Sequence, residues 1–494
     1  MDLRTLQRKS TIALCVVLFS GQAIGAPTIG ENLSYKQAIA IGVKRNIALL
    51  AKRAEKQRQA LLPESAYEDF SPLLNFHVEY TDDAPATSTS SRQRRLNYGL
   101  GVEWKSTVGT KLEAGLGIDQ RLAGTTTDST TGTTSNITHS GDFGLSLTQP
   151  LLKDAWSTGA ATPLQEAAID SAIQREIFRD QLNSLIVEID SAYWQLAFAQ
   201  GDLATKMRSR DRAKGQFDDT AENIRRGIVA DAEIYVVEEN LVFFKQELIR
   251  AKEHLRLAQR KLLRLLNLKG IKTIKASSAL DGFTSNIPPQ QTALKTGLKQ
   301  NPEIRLQRLR LKRARVDVAY QKNQQLPSLD LAASLTLNGL QTGYGQLWED
   351  IAAARRPDAR VGLVFEIPLW RAPLAAKVQR SQLYAKRRLL EFKDKEQSIH
   401  YQIANLLTEV DAEQKRLKLA LRRKELNQKK LEAEVEKYKN GISTLADVVR
   451  FQRELDQAAI ALAREQRNLH QSYAKLLRAQ GDLHHRMGIG LGKK

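Results

Sequence analysis

The chain of 494 residues carries one succession of landmarks twice, and this internal duplication constrains its fold more than any other feature. An asparagine precedes a helical stretch that ends at a proline, and both asparagine-to-proline separations are 26 residues. A second proline then precedes a glycine by 77 residues in the first half and by 73 in the second. The landmarks are Asn46, Pro72, Pro150 and Gly227, followed by Asn301, Pro327, Pro368 and Gly441. We therefore expect two copies of one structural unit.

Each copy is predicted to contain a helix, an extended segment, a long helix, a glycine turn and another long helix. A stretch rich in Gly, Ser and Pro separates the copies and indicates a linker. The predicted division is a signal peptide at 1–25, a first repeat at 26–268, a linker at 269–289 and a second repeat at 290–494. Strands are expected within 73–149 and 328–368, and long helical hairpins within 151–268 and 369–487.

The long helical segments have the heptad pattern of coiled coils. Alternate steps of four and three from Ile403 reach eleven positions, of which eight are apolar. The same steps from Leu445 reach twelve positions, of which nine are apolar. This period of 3.5 residues favours helices packed along their length. Residues 372–438 are expected to form one rod of about 100 Å, which is longer than a compact domain requires.

The extended segments alternate strictly between apolar and polar residues. Four such segments lie between Pro72 and Pro150, and two lie in the second half. The apolar positions include Leu74, Phe76, Val78 and Tyr80 in the first segment, and Leu329, Leu331, Leu335 and Leu337 in the second half. Alternation over about ten residues is typical of transmembrane β-barrel strands. A half-buried sheet of a soluble sandwich gives the same pattern, so both structures stay open on this evidence alone.

The N-terminus has the order of a secretory signal peptide. Three basic residues precede an apolar run from Ile12 to Phe19, and small residues follow as far as Pro27. We place the cleavage after Gly25. Cys15, the single cysteine, lies inside the apolar run, which does not favour a lipoprotein anchor. The processed chain would contain no cysteine for disulfides, thiolate metal sites or nucleophilic catalysis. This signal peptide and the long rods favour the barrel over the sandwich.

The remaining composition excludes several classes of protein. No run of about 18 apolar residues is present, so no transmembrane helix is expected. The formal net charge is +20, but basic residues alternate with acidic ones along the helices, and no nucleic acid partner is expected. An attraction to anionic lipids or solutes stays open. The seven histidines show no metal-ligand spacing, and no phosphate-binding loop or nucleophile elbow is found. We predict neither an enzyme nor a cofactor.

Several short motifs, in this order and twice over, resemble the TolC-like outer-membrane efflux family. They are Gln-Pro-Leu-Leu at 149–152, Tyr-Trp-Gln-Leu at 193–196, Asn-Pro-Glu at 301–303, Leu-Pro-Ser-Leu-Asp-Leu at 326–331 and the two glycine turns. The resemblance extends from about residue 33 to residue 483. It implies an α+β fold, in which a long coiled-coil-like helical tunnel joins transmembrane β-barrel strands. It also implies a homotrimer that shares one barrel and one tunnel.

The resemblance further implies a function and partners. The chain is expected to be the outer-membrane channel of a tripartite efflux or type I secretion system, a passive conduit from periplasm to exterior. Its expected partners are two further copies of itself, a periplasmic adaptor protein, an inner-membrane pump and outer-membrane lipid. The first repeat holds two more strand-like segments than the second, and this extra pair either joins the barrel or forms an extension beyond it. The barrel would accordingly have twelve or more strands.

The resemblance also implies site residues near the two glycine turns. A channel gate is expected at Asp447, Glu233 and Tyr438, with Glu233 accepting a hydrogen bond from Tyr438. Three copies of Asp447 would form an acidic ring. Arg450 departs from the family, which often has an acidic residue there. The adaptor-docking residues are expected to be Gly227, Ile228, Gly441 and Ile442.

Ordinary helix-end roles explain the same residues. Asp447 favours a helix N-terminus, and glycine suits a turn between helices. As a whole protein, the alternative is a periplasmic adaptor, which also uses long hairpins. An adaptor would need a retained membrane anchor and one central hairpin, whereas this chain has two equivalent ones. A basic coiled-coil protein that binds an anionic partner would leave the alternating segments unexplained.

Overall fold

The computed structural model describes residues 32–83, 93–121, 138–278, 280, 287–341, 343–481 and 483–488. The predicted signal peptide lies outside them. The strands are β1 (Asn32–Leu33), β2 (Leu73–Asp83), β3 (Gln93–Lys105), β4 (Lys111–Arg121), β5 (Thr138–Pro150), β6 (Lys275–Ala276), β7 (Ser328–Gln341) and β8 (Pro357–Glu366). The helices are α1 (Tyr35–Arg45), α2 (Ile47–Ala60), α3 (Leu62–Ser65), α4 (Trp156–Gly159), α5 (Thr162–Arg225), α6 (Glu233–Leu266), α7 (Gln290–Gln300), α8 (Pro302–Gln324), α9 (Tyr344–Ala352), α10 (Ala372–Lys439), α11 (Leu445–Gln480) and α12 (Leu483–Arg486).

Two long helical hairpins dominate the molecule. Helices α5 and α10 continue for 64 and 68 residues, which makes rods of about 95 and 100 Å at 1.5 Å per residue. Pro163 and Pro373 lie in their first turns, where a missing backbone N–H loses no helical hydrogen bond. Helix α6 returns along α5, and α11 returns along α10. The expected single rod over 372–438 is confirmed by α10.

Asn46 and Asn301 have the same structural role in the two repeats. Each is a helix N-cap whose side-chain oxygen accepts a first-turn backbone N–H, at 3.0 Å and 2.8 Å respectively. Each side-chain amide donates to a carbonyl at the end of the returning helix, at 2.9 Å to Leu265 and 2.8 Å to Ala479. The repeated asparagines therefore fix where the short helices α2 and α8 begin against their own hairpins.

The strands of both repeats form one antiparallel sheet in the order β2-β3-β4-β5-β7-β8. The repeats join where β5 pairs with β7, from His139 opposite Gln341 to Pro150 opposite Asp330. Separately, β1 and β6 form a short parallel pair. Strand β6 lies inside the predicted linker, so this segment is tied to the start of the first repeat.

The two faces of the large sheet differ in polarity because successive side chains of a strand alternate in direction. One row of paired residues crosses all six strands on the apolar face: Phe76, Leu100, Leu116, Phe143, Leu337 and Pro357. A row on the other face is polar: Glu103, Glu113, Ser146, Ser334 and Arg360. Helix α9, between β7 and β8, covers part of the apolar face with Leu347 and Ile351.

Each repeat has its own hydrophobic core where its short helices meet its hairpin. In the first repeat, Ile186, Ile189 and Tyr193 of α5 are buried among α1, α6 and α11. In the second, Ile304 and Ile403 are buried among α7, α8, α10 and α11. The two units are joined along the contact of α5 with α11.

Three large apolar side chains of α10 are exposed in the single chain. Leu383, Tyr401 and Leu419 are spaced by 18 residues, or five helical turns, and therefore share one side of the helix. Their exposed fractions are 59%, 60% and 70%. The same side also carries exposed polar residues between them, among them Asp394, Gln397, Asn405 and Lys415, so this side of α10 is mixed in polarity.

Candidate functional site: the glycine turns and the ties between the hairpins

The two hairpins turn through the same local structure. Gly227 and Gly441 have φ angles of +74° and +75°, in the left-handed region where glycine has no Cβ to clash. The backbone N–H of the residue after each glycine donates to the backbone carbonyl five residues earlier. Ile228 donates to Asn223 and Ile442 donates to Lys437, both at 2.9 Å. This is the Schellman arrangement, which satisfies carbonyls at the end of a helix. The two repeats therefore share the same individual hydrogen bonds at their turns.

The tips of both turns are open surfaces. No atom lies within 4 Å of a Cβ built on Gly227 or Gly441. Ile228 and Ile442 project from the tips with 67% and 76% of their surface exposed. Each tip thus offers bare backbone beside one apolar side chain, and a partner helix could approach it closely.

Asp447 belongs to the cap at the start of α11. Thr444 is the N-cap, and its hydroxyl accepts the Asp447 backbone N–H at 3.2 Å and donates to the Asp447 carboxylate at 2.7 Å. Arg450 pairs with the same carboxylate at 2.9 Å. The Thr444 bond first, and the positive charge of Arg450 second, hold the pKa of Asp447 below its ordinary value. The helix-end role of Asp447 is therefore present in the structure, and it leaves the carboxylate ionised.

Glu233 and Tyr438 lie beside different turns. Glu233 is the first residue of α6 and is half-buried, whereas Tyr438 lies in the last turn of α10 and is exposed. Within the described part of one chain, the structure forms no hydrogen bond between them. Tyr438 and Asp447 flank Gly441, so the structure brings these two predicted gate residues to the same tip and places Glu233 at the other.

A partly buried ion pair, missed by the sequence reasoning, ties the second hairpin to the first. Asp456 of α11 is 6% exposed and accepts two bonds from one guanidinium nitrogen of Arg212 on α5, at 2.8 Å and 2.9 Å. The hydroxyl of Ser209 also donates to Asp456. We call these three residues the Asp456 tie. Its one signal in the sequence is an acidic residue directly after the apolar heptad position Leu455.

A second contact, the Arg453 tie, links α11 to α6. The guanidinium of Arg453 donates to the buried Asn240 at 2.9 Å, pairs with Glu239, and lies 4.7 Å from the ring centre of Phe243. Because α11 is held to both helices of the first hairpin, any separation of the hairpins at this level must break both ties.

No group of three or more His, Cys, Asp or Glu side chains is placed to hold a metal ion in the part of the chain that the structure describes. No helix within those ranges is long and apolar enough to cross a membrane.

Comparison with known proteins shows the fold and matches the second repeat to one family. Residues 293–482, most of the second repeat, match the family model "Outer membrane efflux protein". No curated protein matches the chain. Among solved structures, the CmeC outer membrane channel of Campylobacter jejuni has a TM-score of 0.64 at 15% identity and covers 93% of this chain and 87% of its own.

Two further channels have the same fold. VceC of Vibrio cholerae has a TM-score of 0.63 at 14% identity, covering 90% of this chain and 96% of its own. The open state of the MtrE channel of Neisseria gonorrhoeae has a TM-score of 0.65 at 16% identity, covering 90% and 88%. The fold is thus that of the outer-membrane channels. Residues 293–482 belong to the outer membrane efflux protein family, which confirms the resemblance to the TolC-like family.

Proposed function

We propose that this chain is an outer-membrane efflux channel that works as a passive conduit from the periplasm to the exterior. The observation that carries the proposal is a two-faced sheet placed at the end of two helical hairpins about 100 Å long. The family match and the shared channel fold support it. The described residues offer neither a catalytic constellation nor a metal cluster that would favour a different activity.

The sheet supports a barrel shared by three copies of the chain. In the single chain the outer edges of β2 and β8 pair with no other described strand, and such edges readily pair with another chain. One chain contributes six strands, which cannot close around an open channel. Three copies with all six strands in sequence would form a barrel of eighteen strands, a size that leaves an aqueous lumen.

The polarity of the sheet then assigns its faces. The part of the apolar face that α9 leaves open, with Phe76 and Leu100, would face lipid, and the polar row through Glu103 and Arg360 would face the lumen. The exposed Leu383, Tyr401 and Leu419 of α10 would contact the neighbouring subunit along the tunnel.

We propose the channel gate at the tips of the hairpins. Three copies of Asp447 would surround the axis as an acidic ring that favours cations, with Arg450 reducing the charge of each copy. Since Glu233 and Tyr438 do not bond within one chain, the proposed link between them would have to form across a subunit interface. Opening by separation of the hairpins would also break the Asp456 and Arg453 ties.

The exposed tips support a docking role. We propose that Gly227 and Ile228, and likewise Gly441 and Ile442, receive a periplasmic adaptor protein that connects the channel to an inner-membrane pump in a tripartite efflux or type I secretion system. The same local structure at both tips would give the trimer six equivalent positions. The sequence does not identify the transported substrate.

Planar-bilayer recording tests the proposed function. The purified full-length protein should insert and give discrete, stable conductance steps. A periplasmic adaptor, the alternative, would give none, because it has no strands that cross a membrane. Absence of conductance from correctly assembled protein would therefore reject the channel and favour the adaptor.

A further inference from the structure

The two repeats correspond residue by residue. Gly42 lies against Ile189 in the first repeat, and Gly297 lies against Ile403 in the second. The two isoleucines are 214 positions apart and the two glycines 255. The same 214 positions separate the turn glycines, and the same 255 separate the capping asparagines. One offset therefore relates the two hairpins, and another relates their short helices.

The second repeat covers a side of the first, but the corresponding side of the second repeat is open. Helix α8 packs between its own α10 and the α5 of the first repeat, and α11 also packs on α5. The counterparts of α8 and α11 are α2 and α6, and the counterpart of α5 is α10. Among the described residues of one chain, α10 forms no extended contact with α2 or α6. In the proposed trimer, α10 of one subunit would face α2 and α6 of the next.

The Asp456 tie has an apolar counterpart on these open surfaces. Arg212 corresponds to Leu426 of α10, and Asp456 corresponds to Val242 of α6. In the single chain, Leu426 is 45% exposed and Val242 is 47% exposed. A contact between them across the subunit junction would remove both from water, which favours association. The corresponding contact inside the chain is an ion pair.

A second ion pair of the chain corresponds to two exposed leucines. Arg305 of α8 pairs with Glu176 of α5 at 3.9 Å. The corresponding residues are Leu50 of α2 and Leu390 of α10, which are 40% and 57% exposed. Leu390 precedes Leu426 by 36 positions, or ten helical turns, so both leucines lie on the same side of α10. The open side of α10 therefore carries both apolar counterparts.

A third ion pair corresponds to residues of opposite charge. Arg478 of α11 pairs with Asp180 of α5 at 3.5 Å. The corresponding residues are Arg264 of α6 and Asp394 of α10, and both are exposed in the single chain. The charges of this contact are thus kept in sign and in position.

One further position has like charges. Arg467 of α11 donates to Gln195 of α5 at 2.9 Å. The corresponding residues, Glu253 of α6 and Glu409 of α10, are both acidic. Lys475 pairs with Glu409 at 3.6 Å and offsets part of the repulsion. The two apolar positions, and not this one, are therefore the points where a junction between subunits gains most.

We propose that the junction between subunits copies the contact between the two repeats, so that Leu426 and Leu390 of one subunit pack on Val242 and Leu50 of the next. The inference rests on the proposed trimeric channel and adds the residues through which its subunits meet. At these two levels, ion pairs hold the repeats of one chain together and apolar contacts hold the subunits together. A single charge introduced at the subunit junction is then costly, unless its partner is introduced as well.

Cysteine cross-linking of the purified full-length protein tests this contact. Cys15, the single native cysteine, lies in the predicted signal peptide. After oxidation, the double variant Val242→Cys with Leu426→Cys should give dimers and trimers on a non-reducing denaturing gel. The matched control is Val242→Cys with Leu419→Cys, because Leu419 is exposed on the same side of α10 but lies two turns away. It should give none, since a disulfide requires Cα atoms within about 7 Å.

Two results of this experiment would overturn the inference. A protein that glutaraldehyde fixes as a trimer, but that forms no disulfide in the test pair or forms it equally in the control, would refute the junction and leave the proposed channel intact. A protein that stays monomeric under both treatments would refute the trimer together with the junction.

A transfer of the Asp456 tie to the subunit junction gives a second test. Val242→Asp should lower the temperature at which the trimer dissociates by about 5 °C, because the new carboxylate is covered without a partner. Adding Leu426→Arg places the counterpart of Arg212 opposite this carboxylate and should restore most of the loss. Adding Leu419→Arg instead should restore none. Equal rescue by the two arginines, or no loss in Val242→Asp, would contradict the proposed contact.

Discussion

The Asp456 tie yields the sharpest prediction of the structure. The Arg212→Met variant retains an apolar stem of similar length but leaves Asp456, whose side chain is 9% exposed, with the Ser209 hydroxyl as the remaining donor of the tie. A buried charge that loses its partner costs about 3 to 5 kcal/mol. Because the Arg212 side chain is 44% exposed and screened by solvent, we reduce this cost to roughly 1 to 2 kcal/mol.

An exposed ion pair of similar length gives the matched control. Lys430 and Glu454 are 2.7 Å apart, but their side chains are 49% and 38% exposed. Exposed pairs of this kind contribute about 1 kcal/mol or less. The Lys430→Met variant should therefore have little effect, although it removes a cation from the same part of the hairpin.

Hydrogen exchange of the purified protein measures the difference locally and does not require global unfolding. A cost of 1 to 2 kcal/mol corresponds to roughly 5- to 30-fold faster exchange in the part of α11 around Asp456. We expect this acceleration in Arg212→Met and not in Lys430→Met. The double variant with Asp456→Asn should recover part of the protection, because the unpaired charge is then absent. Equal exchange in both single variants would refute the assignment of the tie as a structural lock.

Three further predictions concern the gate, the turns and the repeated asparagines. In planar bilayers, Asp447→Asn should reduce cation selectivity. Arg450→Gln should increase it, because the Asp447 carboxylate of each proposed subunit then loses its arginine partner. Unchanged selectivity in both variants would remove Asp447 from the gate. Gly441→Ala should cost about 1 to 2 kcal/mol of local stability at the tip, because φ is +75° there. The variant should also capture less of the native adaptor in a pull-down, and unaltered capture would contradict the docking role. Asn301→Ala and Asn46→Ala should each lower the midpoint temperature of thermal unfolding by a similar amount. Each variant loses a helix cap and a side-chain hydrogen bond, worth about 1 to 2 kcal/mol together. A neutral effect of either would contradict the equivalence of the repeats.

The parts of the fold that the sequence predicts are those set by local chemistry. Asn46 and Asn301 cap the helices that follow them, and Gly227 and Gly441 adopt the left-handed conformation that few other residues tolerate. The heptad pattern likewise predicts α10, because helix periodicity is a property of consecutive residues. Each of these features depends on neighbours within a few positions along the chain.

The parts that the sequence does not predict depend on contacts between distant residues. The pairing of β5 with β7 joins the two repeats, and no local pattern specifies it. The same is true of the pair formed by Arg212 and Asp456, which lie on different hairpins. Helix α9 is short, and its apolar side is explained only by the sheet that it covers.

The candidate site divides in the same way. The position of Asp447 at a helix N-terminus follows from Thr444, three residues earlier, and the structure shows that cap. The proposed link between Glu233 and Tyr438 would form between subunits, and no local pattern in one chain specifies it. The roles of both residues stay proposals that rest on the family resemblance and on their positions beside the turns.

Separation of inner and outer membranes on a sucrose gradient tests whether the sheet resides in the outer membrane. Cells expressing the full-length chain with a C-terminal tag should show the protein in the dense outer-membrane fraction. Recovery in the inner-membrane fraction or in the soluble periplasmic fraction would contradict the channel and favour a periplasmic adaptor.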